Sequence, residues 1–423
     1  MRHHRLTAAC LAAGLALLTG CSASTPGGAE GGAALTYMTF ETPSLTAKFW
    51  DTSIADAQKQ VRGLTVKKIV APGDRDTYAK QLQASGQFPD LLQSITPSTF
   101  VTAGLLKPYD QKWVDANFLL PKGNAYKGKV YVPPTNSQII PEVFYNKKLF
   151  AKAGIAAPPK TWAEFMSVCA KLKAAGINPV ELGGGDPFSA SMPLVGILSA
   201  DVLGKNPNWL QDRYAGKVKF TDDNVKAAVA KYRMMVKEGY FQDGALGVKY
   251  ADSITNFTSG KSAMYMMGSW FLGSVPKDRA DDFGAFLTPT EDGSLVVPFA
   301  IGGSMAVSAK AKDTAKATAF AQAWSLDPKN LKVLVEGDGA FPMLKGKTLP
   351  DYDVNVTKVF EDSFAYVTDE NTKVSAFGWA SGDDSLPSGL NDAFYAASQA
   401  LFTSDDIDGE LAKLDAAWDK ATK

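Results

Sequence analysis

The stretch from Gly128 to Phe150 constrains the fold most, because a polar segment that cannot be a central strand joins two β-favouring runs. The runs are Lys129 to Val132 and Val143 to Tyr145. Between them, Pro133 and Pro134 fix φ and remove two backbone donors, which excludes them from a central strand. Residues that precede a proline are also driven towards extended geometry. The pattern predicts a stiff, extended crossing, with one sheet before it and another after it.

The length and the charge balance of the chain limit the classes of protein it can be. Its 423 residues are too many for one ordinary domain and suit two. Hydrophobic residues make up 45% of the chain and charged residues 21%, which is an ordinary globular composition. Lys plus Arg equals Asp plus Glu, at 44 each. This balance disfavours nucleic acid or another polyanion as a partner.

The N-terminus has the pattern of a secretory signal peptide over residues 1–20, with Arg2 and Arg5 before an apolar run. Leu18-Thr19-Gly20-Cys21 then resembles the bacterial lipobox, which implies cleavage before Cys21 and diacylglycerol on its sulfur. A plain signal peptide with an incidental cysteine is the alternative. Residues 21–34 are predicted to be a flexible tether, since they lack core-forming side chains. The folded part would then lie outside the cytoplasm, anchored to the cell membrane by lipid.

Histidine and cysteine usage exclude several kinds of site. Both histidines, His3 and His4, lie in the predicted signal peptide, so the mature chain would contain none. That excludes a Ser-His-Asp or Cys-His triad and every histidine-ligated metal site. With Cys21 lipidated, only Cys169 would remain, so no intrachain disulfide is expected. Cys169 falls in an amphipathic helical pattern and is predicted to be a buried small hydrophobe.

Residues 35–106 alternate between strand and helix patterns, which predicts a doubly wound α/β sheet. Ser44 and Asp74 are suitable N-caps for the first two helices. Ligands of such sheets bind outside the carboxyl ends of the strands. Glu41 and Gln93 end two predicted strands, so both are candidate binding residues. A solvated turn is the alternative for each.

Two later stretches combine glycine with aromatic residues. Gly183 to Phe188 is predicted to be a loop, but it lacks the GxGxxG spacing and the following helix start of a phosphate cradle. Ser262 to Met267 is typical of a buried strand, and Trp270 follows it in a turn of small residues. We favour a ligand platform over core packing for Trp270. The aromatic and acidic loop from Phe377 to Asp384 contains Trp379, for which a surface loop packed on the core is the alternative.

A series of short motifs follows along the chain. They are the lipobox, Ser85-Gly86-Gln87-Phe88-Pro89-Asp90, Gly104-Leu105-Leu106, Gly128-Lys129-Val130-Tyr131-Val132-Pro133, Tyr145-Asn146-Lys147-Lys148-Leu149-Phe150, Pro159-Lys160-Thr161-Trp162 and Gly268-Ser269-Trp270. In order and spacing, this series resembles the carbohydrate-binding extracellular solute-binding proteins of ABC importers, the group that contains maltose-binding protein. The resemblance implies a two-lobed α/β fold of the periplasmic-binding-protein type. Each lobe would be a mixed sheet flanked by helices, with three hinge crossings between the lobes.

The expected lobes are residues 35–135 plus 289–340 and residues 136–288 plus 341–423. The second and third crossings are expected near Leu287 to Thr290 and Gly337 to Lys345. The resemblance further implies that the two lobes close on a ligand, which is then delivered to a membrane permease.

The resemblance also carries roles to individual residues. Trp270 matches the family's stacking tryptophan, Trp379 falls near a second stacking aromatic, and Phe188 lies where many members have Trp or Tyr. Further candidates are the polar residues that match sugar-binding positions, and the acidic loop adds Asp383; together they are Glu41, Gln93, Asn136, Asp186 and Asp383. The chain departs from the family at Gln93-Ser94, which lacks an aromatic, and at Pro133-Pro134.

A near-neutral, histidine-free site with several aromatics suits an uncharged sugar better than an anion or a metal. We therefore expect a monomeric sugar-binding protein with no cofactor, no metal and no catalytic residues. Two alternatives remain at this point. One is a glycosidase that pairs Glu41 with Asp383 or Asp384. The other is a surface adhesin or sensor partner that binds glycan without import.

Overall fold

Strands and helices alternate along most of the chain, as predicted for an α/β fold. The computed structural model describes residues 33–42 and 45–423. The predicted signal peptide, the lipidation site Cys21 and most of the predicted tether lie outside these residues. The first strand already begins at Ala33, before the predicted end of the tether at residue 34. Among the described residues, every helix is too short or too polar to cross a bilayer.

The strands, in chain order, are β1 (Ala33–Thr39), β2 (Leu64–Val70), β3 (Leu91–Gln93), β4 (Leu106–Lys107), β5 (Ala125–Tyr126), β6 (Lys129–Val130), β7 (Asn136–Ile139), β8 (Glu142–Asn146), β9 (Asn178–Glu181), β10 (Ser262–Met267), β11 (Phe283–Phe286), β12 (Val296–Gly302), β13 (Met305–Ser308), β14 (Phe341–Pro342) and β15 (Thr372–Ser375). The α-helices are α1 (Ala47–Lys59), α2 (Arg75–Ala84), α3 (Pro97–Val101), α4 (Gln111–Asn117), α5 (Lys147–Lys152), α6 (Trp162–Ala174), α7 (Pro187–Leu198), α8 (Trp209–Tyr214), α9 (Asp223–Lys237), α10 (Tyr250–Thr258), α11 (Thr314–Leu326), α12 (Pro328–Asp338), α13 (Lys358–Thr368), α14 (Leu390–Thr403) and α15 (Ile407–Ala421).

The first lobe is built on a mixed sheet of five strands in the order β2-β1-β3-β13-β4. Strands β2, β1 and β3 run parallel, and β13 returns antiparallel between β3 and β4. Helices α1 and α11 cover one face, where the buried rings of Trp50 and Trp324 stack with centroids 6.0 Å apart. Helix α1 begins later than predicted, because the side chain of Thr46 caps it by accepting from the Phe49 N–H; Ser44 lies outside the described residues.

The second lobe is built on a mixed sheet of four strands in the order β11-β8-β10-β9. The predicted buried strand from Ser262 to Met267 is confirmed as β10, in which every residue is buried. Helix α6 begins with a capping box between Thr161 and Glu164, and Cys169 is buried inside it, as predicted. The fold class predicted from the sequence is therefore confirmed.

A third sheet, in the order β14-β7-β12-β15, lies between the two lobes, and we call it the crossing sheet. Its strand β7 follows Pro133-Pro134, so the extended segment predicted there is found as a strand. Strand β7 pairs antiparallel with β12, Gly302 lying opposite Asn136, and with β14, Phe341 lying opposite Ser137. Three segments that run between the lobes are thus hydrogen-bonded to one another.

The buried hydrophobic side chains form separate clusters in the two lobes and around the crossing sheet. One large cluster fills the second lobe, two clusters fill the first lobe, and a further cluster surrounds the crossing sheet. Leu344 and Tyr352, which follow the expected boundary at residue 340, pack in a first-lobe cluster. The lobes therefore have separate cores that meet through the cluster at the crossing sheet.

Glu142 is a carboxylic acid buried in that cluster. It begins β8, pairs with Met267 of β10, and has no exposed surface. Within residues 33–42 and 45–423, both of its carboxyl oxygens lack a hydrogen-bond partner, although the Ser363 hydroxyl lies near. Burial raises the pKa of Glu142 to about 8, because a buried carboxylate loses its hydration.

We expect Glu142→Gln to stabilise the protein as the pH rises from about 5 to about 8. Above its ordinary pKa, Glu142 keeps its proton only in the folded state, so unfolding releases a proton and wild-type stability falls with rising pH. The glutamine side chain has no proton to release, so the variant does not lose stability in this way. The difference in the free energy of unfolding between the variant and the wild type reaches up to about 5 kcal/mol near pH 8. Urea denaturation across this range measures it. The exposed control Glu370→Gln should follow the wild type, and equal pH profiles for Glu142→Gln and the wild type would contradict the prediction.

Candidate functional site

The turn after β10 positions Trp270. The strand ends at Met267, Gly268 follows, and a 3-10 helix spans Ser269–Ser274. A Cβ on Gly268 would lie only 2.2 Å from Cζ3 of Trp270, so the indole folds back over a residue that has no side chain. The ring itself is only partly buried. The absence of a side chain at Gly268 thus allows the indole to lie against the end of the strand, with part of the ring exposed.

The structure brings Trp379 against Trp270. Their ring centroids are 5.1 Å apart with an angle of 40° between the planes. Trp379 follows β15 and is also partly buried. The two residues are 109 positions apart in the chain, and the crossing sheet and second lobe bring them together. Two predicted aromatic residues therefore form one surface.

Tyr250 and Phe188 extend the aromatic surface. Their rings meet edge to face with centroids 5.2 Å apart, and the Trp270 indole lies near the Tyr250 hydroxyl. Burial and the nearby Asp338 carboxyl raise the pKa of Tyr250. The Asp186 carboxylate accepts the backbone N–H of Tyr250 at 2.7 Å. Asp186 therefore fixes the start of α10 and places Tyr250 beside Phe188.

The glycine loop before Phe188 differs from its prediction in one respect. A helix start does follow the loop, because α7 begins at Pro187 with Asp186 in the N-cap position. The glycines allow close approach to another part of the chain: Gly184 and Gly185 donate to the carbonyls of Ala245 and Val248 at 3.0 and 2.9 Å. A Cβ on Gly184 would lie 2.7 Å from the Ala245 carbonyl oxygen. These contacts explain the glycines without a phosphate ligand.

Asp338 ends α12 at the start of the third crossing, beside this surface. Its backbone carbonyl accepts from the Gln138 side-chain amide at 2.9 Å. Gly339 follows with φ of 51°, and a Cβ there would lie 1.9 Å from the Ser269 carbonyl oxygen. The end of α12 thus packs directly on the turn that carries Trp270. Burial raises the pKa of Asp338 to about 7, and the charge of Arg75 and the Gln138 amide oppose the rise.

Arg75 and Phe40 approach from the first lobe. The guanidinium lies over the Phe40 ring, 4.4 Å from its centroid, and is partly exposed. The charge of Arg75 also interacts with Tyr395 of α14 in the second lobe. Burial and the nearby Asp74 raise the pKa of Tyr395 to about 12, and Arg75 lowers it. Because Arg75 is electrostatically coupled to both Asp338 and Tyr395, it lies where the two lobes face each other.

The remaining predicted residues have other surroundings. Glu41 is exposed next to Phe40, with its carboxylate 4.0 Å from the Lys68 ammonium. The Gln93 side chain is buried and accepts from the Tyr37 hydroxyl at 2.6 Å. Asn136 is buried at the crossing sheet, and its amide donates to the Thr135 hydroxyl at 3.2 Å.

Asp383 lies in a contact between the lobes. Its carboxylate accepts the Lys127 backbone N–H at 2.8 Å, and nearby Ser385 donates to Ser98 of the first lobe at 2.8 Å. The Asp384 carboxylate accepts from Gln211 at 2.9 Å and from the Ser375 hydroxyl at 2.5 Å. Both acidic side chains therefore bind protein groups.

Sequence reasoning missed Asp338, Arg75, Tyr250 and Tyr395. Asp338 is an acid between two glycines at the end of a helix and at the start of an expected crossing, a signal that could have found it. The other three lie within ordinary helical patterns. Over the described ranges, 33–42 and 45–423, no group of three or more His, Cys, Asp or Glu side chains could hold a metal ion.

Residues 52–361 match the family model described as bacterial extracellular solute-binding protein. The Multiple sugar-binding protein of Streptococcus mutans is 24% identical over 306 residues, which cover 69% of this chain and 71% of that one. The sn-glycerol-3-phosphate-binding periplasmic protein UgpB of Escherichia coli is 24% identical over 378 residues, covering 82% of this chain and 80% of that one.

Solved structures share the fold. A chitin oligosaccharide binding protein has a TM-score of 0.81 at 22% identity and covers 92% of this chain and 99% of its own. The solute-binding protein RafE in complex with raffinose has a TM-score of 0.73 at 20% identity, covering 92% of this chain and 100% of its own. Such likeness extends over both lobes and the crossing sheet.

We expect Gly268→Ala to displace the Trp270 ring from Trp379 while the fold is retained. The new Cβ would overlap the ring, whereas the backbone φ of -64° at Gly268 suits alanine. Near-UV circular dichroism reports on the contact between the two indoles. The quantity to compare is the difference in the spectrum between each protein and its Trp379→Phe derivative. That difference should shrink in Gly268→Ala. It should persist in the control Gly247→Ala, where a Cβ meets no atom within 4 Å. An unchanged difference in Gly268→Ala would contradict the prediction.

Proposed function

Because the chain belongs to the family of bacterial extracellular solute-binding proteins, we propose that it captures a sugar or oligosaccharide between its lobes for an ABC importer. The observation that carries the proposal is the contact of Trp270 with Trp379 at a cleft edged by Asp338 and Arg75. The family and its structural neighbours are binding proteins rather than enzymes.

The chemistry of this surface suits a sugar ring. A pyranose has apolar C–H faces that stack on flat aromatic side chains, and a rim of hydroxyls that need polar partners. Trp270, Trp379, Tyr250 and Phe188 supply the flat surfaces, and Asp338, Gln138 and Arg75 supply polar groups. Similar proteins support the same ligand class, among them the Multiple sugar-binding protein of Streptococcus mutans and RafE in complex with raffinose.

Closure on the ligand follows from the crossing sheet. Three hydrogen-bonded crossings let two lobes rotate as rigid bodies about one line, which is the hinge motion that encloses ligands and excludes water. The lobes in this proposal are residues 35–135 plus 289–340 and residues 136–288 plus 341–423, except that Leu344 and Tyr352 pack in a first-lobe cluster. The closed, liganded monomer would then dock on the permease subunits. Glu41, Gln93, Asn136, Asp186 and Asp383 remain predicted ligand contacts.

The proposal includes a lipid anchor at Cys21. Signal peptide removal would leave Cys21 as the N-terminal residue, with diacylglycerol on its sulfur. Acyl chains hold a folded domain at the bilayer surface without a spanning helix. The tether between Cys21 and β1 would let the two lobes reach the permease.

We expect a stabilising sugar to raise the melting temperature of the wild type and to lose this effect in Trp270→Ala. The lost stacking weakens binding by about 2 kcal/mol, roughly thirtyfold. A thermal-shift screen over mono- and oligosaccharides, including raffinose, stachyose and chitin oligosaccharides, followed by calorimetry, measures it.

Trp113→Ala is the matched control for this experiment. Trp113 stacks on Tyr109 in the first lobe with centroids 5.5 Å apart, so its loss should lower stability and leave affinity unchanged. Full affinity of the Trp270 variant would show that Trp270 is not part of the binding site. A wild type that binds no sugar in the panel would overturn the sugar proposal.

We expect Cys21→Ser to move the protein from the membrane fraction to the soluble extracellular fraction of expressing bacteria, because no thiol remains for acylation. Immunoblotting of the fractions and metabolic labelling with a fatty acid measure the change. Cys10→Ser, within the predicted signal peptide, is the control and should stay lipidated. Membrane retention of the Cys21 variant would contradict the anchor.

A further inference from the structure

We propose that Asp338 binds the ligand directly, accepting hydrogen bonds from sugar hydroxyls as a carboxylate, so that binding expels a proton and weakens in acid. This inference rests on the proposed function and adds a specificity residue that prediction from the sequence did not include. Asp338 lies at the point where a crossing meets the aromatic surface.

The position of Asp338 is fixed by contacts of backbone with backbone. A Cβ on Gly339 would lie 1.9 Å from the Ser269 carbonyl oxygen, and a Cβ on Gly273 would lie 1.9 Å from the Gly337 carbonyl oxygen. The Ser269 hydroxyl also donates to the Gly339 carbonyl at 3.0 Å. Residues on both sides of Asp338 are therefore held against the turn of Trp270.

The surroundings of Asp338 are those of a narrow cleft. Protein atoms crowd the carboxyl enough to remove most of its hydration, yet the residue keeps part of its surface open. The Gln138 amide approaches one carboxyl oxygen only at 3.5 Å. No ion pair within 4.0 Å involves Asp338 in the part of the chain that the structure describes. The carboxyl thus retains acceptor capacity that a ligand can use.

The surroundings of Asp338 explain why its pKa lies near neutral pH. Arg75 of α2 lies across the cleft and favours the carboxylate, whereas Tyr250 of α10 is a neutral neighbour. The carboxyl lies at the C-terminal end of an 11-residue helix, where the helix dipole disfavours negative charge. Burial outweighs the help from Arg75 and Gln138 and raises the pKa of Asp338 to about 7.

A bound sugar is expected to lower the pKa of Asp338. Hydroxyl donors stabilise the carboxylate and lower its pKa in the complex. Binding is then tightest above the pKa of the free protein and weakens as the pH falls below it. With a free pKa of about 7, affinity at pH 6 should be roughly tenfold lower than at pH 8.

The test uses the folded protein with raffinose, stachyose and chitotriose as probes, in calorimetry between pH 5.5 and 8.5. For each probe that binds, we expect wild-type affinity to rise roughly tenfold between pH 6 and pH 8, with proton release seen as a dependence of the heat on the buffer. Asp338→Asn should bind at least tenfold more weakly at pH 8 and lose the pH dependence. The exposed control Asp243→Asn should match the wild type.

A second readout needs no sugar. Titration of Asp338 changes the field at Trp270, so the tryptophan fluorescence of the free wild type should change with a midpoint near neutral pH, and that of Asp338→Asn should not. A pH-independent affinity, or full affinity in Asp338→Asn, would overturn the inference while leaving the sugar function intact. Failure of every probe to bind the wild type would overturn the sugar function, and this inference with it.

Discussion

The hydrogen bonding of β7 to both β12 and β14 is the constraint on which the rest of the structure depends. It ties three segments that run between the lobes into one sheet, and in the proposed function the lobes rotate about this sheet. The same sheet sets the register of Gln138, and the chain leaves it towards β8 and Glu142. Separate cores in the two lobes are compatible with this motion, because their packing is not shared.

The candidate site takes its geometry from that sheet. The third crossing begins at Asp338, and glycines on either side of this residue let its backbone touch the backbone of the Trp270 turn. A larger residue at Gly339 would meet the Ser269 carbonyl and separate the acid from the indole. The aromatic surface and the acid are therefore positioned by the sheet that joins the lobes. In the proposed function, this arrangement links ligand contact to closure.

Titratable groups near the crossing sheet carry much of the expected chemistry. Glu142 is sealed in an apolar cluster, so its proton affects stability, whereas Asp338 keeps part of its surface open. In the proposal above, the proton of Asp338 therefore affects ligand affinity. Burial raises the pKa of both, but only Asp338 has a charged neighbour across the cleft. The two acids thus show how the same desolvation has different consequences at a closed and at an open position.

The sequence alone determined the features that depend on neighbours a few residues away. The buried strand before Trp270, the Thr161 capping box, the buried Cys169 and the extended segment after Pro133-Pro134 follow from periodicity, capping and fixed φ. The α/β alternation and the family motifs then predicted two lobes. Local signals were weakest at element ends, as the later start of α1 shows.

Only the tertiary structure decided which side chains meet. Trp270 and Trp379 touch, whereas Gln93 faces Tyr37 and Asp383 binds the Lys127 N–H. Asp338, Arg75 and Tyr250 come from three distant segments, and no local pattern encodes their proximity. The physical reason is that desolvation and charge coupling depend on strand register and on the packing of distant segments, whereas periodicity reports only which face of an element is buried.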